Sequence, residues 1–66
     1  MDKTEYVPDK VENAFVKTDA GVKFYKKGIL KTIYTKDAAE ELLRKEFGEN
    51  AVEELNKYGH FNWITL

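Results

Sequence analysis

The feature that most limits how this chain can fold is a change of character near residue 36. Residues 21–36 (GVKFYKKGILKTIYTK) carry five lysines, Lys23, Lys26, Lys27, Lys31 and Lys36, and no acid. They are also rich in β-branched and aromatic residues, which suit a pleated, half-buried strand. Residues 37–55 (DAAEELLRKEFGENAVEEL) carry seven acids against Arg44 and Lys45. There the apolar residues recur at helical spacing, with Ala39, Leu42, Leu43 and Phe47 on one stripe. A basic, strand-forming stretch is thus followed by an acidic, helix-forming one. Strands and helices segregated along a chain predict an α+β fold.

The strand-forming part divides at its glycines. Residues 11–18 (VENAFVKT) read as a strand with Ala14 and Val16 on one face and Val11 and Phe15 on the other. Asp19-Ala20-Gly21 is a short turn, since glycine takes the positive φ that such hairpin loops need. In residues 22–27, Val22, Phe24 and Lys26 share a face and Lys23, Tyr25 and Lys27 share the opposite one. Gly28 allows two readings. Lys27-Gly28 is either a second tight turn that makes residues 29–35 a third strand, or a bulge in one long bent strand. The turn is the favoured reading.

Thr35 or Asp37 caps the first helix, and Asp37 and Glu40 suit its N-terminal dipole. Gly48 is a natural stop. Asn50-Ala51-Val52-Glu53 resembles a capping box that opens a second helix, with Val52, Leu55 and Tyr58 as its stripe. Gly59 ends it, and His60–Leu66 (HFNWITL) is β-prone enough to return as a last strand. The expected order is β-β-(β)-α-α-β: an antiparallel sheet of three to four strands with two short helices on one face. The other face is left to solvent or to a partner. The alternation of the first strand does not say which face is open.

Length bounds the rest. Sixty-six residues suffice for one domain, read as an arm over residues 1–10 and a single α+β domain over 11–66. A chain of this size buries only about 60% of its unfolded surface. With no cysteine, no disulfide adds to that, so further stability comes from tight packing or association, as a monomer or a small homodimer. The first residues, Met1-Asp2-Lys3-Thr4-Glu5, lack an apolar signal core, and uncharged runs such as His60–Leu66 are too short to span a bilayer. A cytoplasmic, non-membrane protein is the expectation.

The inventory excludes much chemistry. The chain has no serine, cysteine or glutamine, one histidine (His60) and one arginine (Arg44). Ser-His and Cys-His nucleophiles are therefore out of reach. The four glycines are scattered and form no phosphate loop. Adjacent glutamates on a helix point about 100° apart into water, unlike a paired acid–base site. A metal site at Glu46, Glu49 and Glu53 lacks a supporting histidine or Asp-rich loop. His60, after a helix-stopping glycine, suits an interaction with the last helical carbonyls. No catalytic residue, cofactor or metal is expected.

What remains is a surface for binding. Lys23, Tyr25, Lys26, Lys27, Lys31 and Tyr34 interleave cations with aromatics on strands. Glu40, Glu41, Glu53 and Glu54 display acids on helices. The plain reading of both is a solvated face, with lysines also shielding strand edges. Phe61 and Trp63 read chiefly as core. The functional reading is a small non-enzymatic regulator or inhibitor that binds another protein. Its basic aromatic hairpin makes contacts, and its acidic helices steer a basic region of the partner. The alternative is a nucleic-acid-binding sheet that stacks bases on Tyr25 and Tyr34. Against it stand a net charge of −1 and the absence of arginine from the strands. An idealised scaffold without a partner is a third reading, opposed by the irregular arm and by Asn13, a polar residue without evident support in the first strand.

Overall fold

The consecutive β-prone segments pair in chain order as a meander, and the last strand closes the sheet from the far side. The computed structural model describes residues 6–64. In order they form β1 (Glu12–Thr18), β2 (Gly21–Lys26), β3 (Ile29–Tyr34), α1 (Lys36–Glu46), α2 (Glu49–Tyr58) and β4 (His60–Ile64). Every pairing is antiparallel and the sheet order is β3-β2-β1-β4. This is the α+β architecture expected from the sequence, with the third strand present in its own right. Residues 1–5 of the arm, and Thr65 and Leu66 of the expected last strand, lie outside the described residues.

Gly28 belongs to a turn. Lys27 (φ 53) and Gly28 (φ 78) form a two-residue loop between the paired residues Lys26 and Ile29. Positive φ at both positions is the signature of a type I′ turn, whose twist matches that of the strands it joins. The hairpin also contains a bulge, but on β3. Tyr25 faces Leu30 while Phe24 faces Thr32, so Lys31 is the extra residue.

Thr35 is the N-cap of α1, and its hydroxyl accepts from the Ala38 amide at 3.2 Å. The α1–α2 junction corrects the sequence reading. The Gly48 amide donates to Leu43 O (3.0 Å) and Arg44 O (3.1 Å), closing α1. The same glycine, at φ 97, is the N-cap of α2, with no side-chain cap. Because one glycine ends one helix and opens the next, Asn50 falls inside the first turn of α2 and the capping box does not form.

The core lies between the helices and one sheet face: Phe15, Val22, Ala39, Leu43, Ala51, Val52 and Leu55. Phe24, Tyr34, Phe61 and Trp63 ring it, and Trp63 packs against Phe15 (5.7 Å) and Phe47 (4.7 Å). Tyr58 is not part of this stripe. It sits roughly 65° around the helix from the centre of Ala51, Val52 and Leu55, and it is exposed, with Lys57 Nζ above its ring. Val11 also leaves the face expected for it, since β1 begins after it and its side chain is exposed.

Paired with β2 on one side and β4 on the other, β1 is an interior strand and is buried on both faces, from Asn13 through Val16. Asn13 has support after all. Its Oδ1 accepts from the Lys27 amide at 3.0 Å, so a buried side chain of β1 brackets the β2–β3 turn. No helix among the described residues is long and apolar enough to cross a membrane.

Candidate functional site

Cross-strand partners in a sheet share a face, so the register assigns every side chain. Phe15 faces Phe24 and Phe61, and Val22 faces Tyr34. These point to the helices. The opposite face carries Ala14 beside Tyr25 and Asn62, Val16 beside Lys23 and His60, and the pairs Lys23–Ile33 and Tyr25–Leu30.

The arm covers the β1–β4 side of this second face. Tyr6 stacks on His60 with ring centroids 3.9 Å apart. Its hydroxyl donates to Glu12 Oε1 at 2.7 Å. The same oxygen accepts from the Asp9 amide (2.9 Å), and Oε2 accepts from Asn62 Nδ2 (2.8 Å). Pro8 is buried. The arm then runs past the hairpin turn, where Asp9 O and Lys10 Cα lie close to Gly28, and Glu12 O at the start of β1 accepts from the Gly28 amide at 2.9 Å. Burial, and then the Glu12 carboxylate, push the Tyr6 hydroxyl up to about 12. The hydrogen bond from the Asp9 amide, then those from Tyr6 and Asn62, hold the Glu12 carboxyl below its ordinary value. His60 therefore does not serve the end of α2, as its sequence position suggested. Gly59, in the left-handed region at φ 85, donates its own amide to Leu55 O. His60 opens β4 beneath Tyr6, with Nδ1 3.1 Å from Asn62 Oδ1.

Among the described residues, what the arm leaves on this face is the β2–β3 side. Leu30 and Ile33 are 46% and 48% exposed, and Tyr25 is half-buried beside them. Lys27 and Lys31 are exposed at the turn and at the bulge. Lys23 shares the face with Ile33.

Tyr34 is not part of this surface. Opposite Val22, it packs on Phe15 (6.0 Å) and Phe24 (6.3 Å) on the helix side. The bulge decides this. Continued from the turn without the extra residue, the register would pair Tyr34 with Gly21 and turn it to the face of Tyr25. Lys31 shifts the register by one, and a one-residue slip exchanges the faces. Lys26 pairs with Ile29 on the helix-side face, at the exposed end of the hairpin.

The acidic candidates do not join the Tyr25 face either, although Glu41 lies near Tyr34 on the helix side. Glu40 Oε2 accepts from Asn56 Nδ2 (3.2 Å), and Asn56 Oδ1 accepts from Lys17 Nζ (3.2 Å), so Glu40 braces α1, α2 and β1. Glu41 borders a shallow depression with Tyr34, Ala38, Leu42, Arg44 and Lys45. Glu53 and Glu54 are exposed on α2. Glu49, considered above for metal binding, is taken by Arg44 Nε at 2.7 Å; the pairing raises the Arg44 pKa and lowers that of Glu49. The helices cover one face and the Tyr25 surface lies on the other. The helix acids and the Tyr25 surface therefore lie on opposite sides of the sheet.

No protein-family model matches this chain, and no curated protein or solved structure is significantly similar to it.

Proposed function

We propose that this protein is a small, non-enzymatic regulator or inhibitor that works in the cytoplasm by binding another protein through the uncovered β2–β3 side of its sheet. One observation carries the reading. The arm seals the β1–β4 side of the second face, yet Tyr25, Leu30 and Ile33 stay accessible beside Lys27 and Lys31. Aromatic and aliphatic anchors with a polar rim are the usual make-up of a protein contact. The contact belongs to the hairpin alone, and the acids of α1 and α2 act on solubility and long-range approach.

The nucleic-acid reading is weaker on this geometry. Tyr25 and Tyr34 stand on opposite faces, so two successive bases have no common stacking platform.

The test is affinity capture from a cell lysate, with and without nuclease, using the natural chain and a Tyr25→Ala/Ile33→Ser variant of equal stability. A discrete protein that survives nuclease and is lost with the variant supports the proposal. A protein retained equally by the variant removes this face from the mechanism. Nucleic acid recovered in a steeply salt-dependent way transfers the reading to phosphate contacts.

A further inference from the structure

We infer that the partner contributes an acidic, extended segment that adds to β3 as a fifth strand; the inference rests on the protein-binding reading above and specifies its mode. Among the described residues, the sheet order leaves β3 and β4 as edges. They are unlike. β4 is half-buried from His60 to Trp63, with Phe61 and Trp63 in the aromatic rim of the core and Tyr6 on His60. β3 is exposed at every residue from Ile29 to Ile33. A strand edge offers a row of backbone donors and acceptors that an incoming extended chain can pair with.

The charge around that edge selects the occupant. Lys27 stands at the turn, Lys31 at the bulge and Lys36 just past the end of β3, all exposed, and residues 21–36 contain no acid. A second copy is disfavoured. Two β3 strands paired antiparallel about Lys31 set Lys31 opposite Lys31, with the turn lysine Lys27 of each copy near the end of the other's β3 where Lys36 follows, and like charges across a sheet repel. An acidic strand meets the same lysines favourably. On the Tyr25 face its neighbours are Leu30 and Ile33, so β-branched or aromatic residues alternating with acids fit best.

The experiment titrates the isotopically labelled full chain with three synthetic peptides and follows backbone amides by NMR. One peptide alternates valine with glutamate, the second replaces glutamate by lysine, and the third is the first with alternate backbone nitrogens methylated. The expected result is shifts centred on Ile29–Ile33, with slowed hydrogen exchange of β3 amides, for the acidic peptide. Both the lysine and the N-methylated peptides bind about tenfold or more weakly, since one has the wrong charge and the other lacks the ladder donors. Equal binding of the N-methylated peptide, equal binding of the lysine peptide, or protection of β3 through concentration-dependent self-association overturns strand addition. So does failure of the acidic peptide to bind. In that event, capture of a protein that depends on Tyr25 and Ile33 leaves the broader reading standing; loss of both removes it as well.

Discussion

The ring of Tyr6 lies parallel to that of His60, with centroids 3.9 Å and planes 8° apart. Its hydroxyl meanwhile reaches Glu12 at 2.7 Å. One residue of the arm thus grips two strands, β4 through its ring and β1 through its oxygen. The Glu12 carboxylate accepts from Tyr6, Asp9 and Asn62 together. This side of the sheet is held by a polar cluster, the helix side by an apolar core.

That cluster makes stability depend on pH at both extremes. The Glu12 carboxyl is held below its ordinary range, so its contribution is present above that range and lost as pH falls through the depressed value. The Tyr6 hydroxyl is raised from 10.0 to about 12, so its contribution is present below pH 10 and lost as pH climbs towards 12. Urea midpoints measured across pH check both. Glu12→Gln flattens the acid flank. Tyr6→Phe flattens the alkaline one and weakens the acid one, because it removes a donor to Glu12.

Asn13 and the Lys27 amide are the corresponding pair on the core side of the hairpin. Removing the acceptor with Asn13→Ala leaves that amide without its partner, at a cost of about 1–3 kcal/mol. The check is a denaturant melt together with the NMR shift of the Lys27 amide, which moves if the bracket is lost.

Much of the fold was legible in the sequence because it is local. The lysine-rich β-branched run, the Thr35 cap and the Leu42–Leu43–Phe47 stripe each announce an element within a few residues. The open face was not legible. Asn13, Ala14, Phe15 and Val16 are all buried, since β1 is central, and it becomes central only by pairing Phe15 with Phe61, far along the chain. With both faces covered, alternation carries no sign of inside and outside. The separation of Tyr25 from Tyr34 hangs on the one extra residue Lys31, which no propensity marks. The Glu12 cluster gathers residues 6, 9, 12 and 62, a set that only the folded topology assembles.

The β2–β3 turn carries a residual conflict between sequence and geometry. Lys27 holds φ 53 with a full side chain. Lys27→Asn, giving the Asn-Gly pair that such turns favour, stabilises by about 0.5–1 kcal/mol. Gly28→Ala does the opposite, by about 1–3 kcal/mol. It forces alanine to φ 78 and sets a Cβ 2.9 Å from Asp9 O. Thermal melts of the two variants are expected to move in opposite directions.

The core has little reserve. Leu43 is fully buried between the helices and the sheet, and Leu→Ala at such a site costs about 2–5 kcal/mol. A domain of this size has roughly 3–5 kcal/mol in all. Leu43→Ala is therefore expected to abolish cooperative unfolding, read as loss of the sigmoidal transition in circular dichroism.

Tyr25 and Tyr34 separate binding from folding. Tyr34 packs its ring on Phe15 and Phe24, so Tyr34→Ala opens space against the core and destabilises by about 2 kcal/mol. Tyr25 lies half-buried on the other face, between Ala14 and Leu30 and away from the helix-side core. Tyr25→Ala is expected to cost less stability and to weaken partner capture more than Tyr34→Ala does under conditions where both variants are folded. Paired melts and capture assays on the two variants decide it. If Tyr34→Ala were the one that lost the partner while folded, the binding surface would lie on the helix side, next to the depression bordered by Glu41 and Arg44. The β2–β3 face would then serve only to keep the sheet in solution.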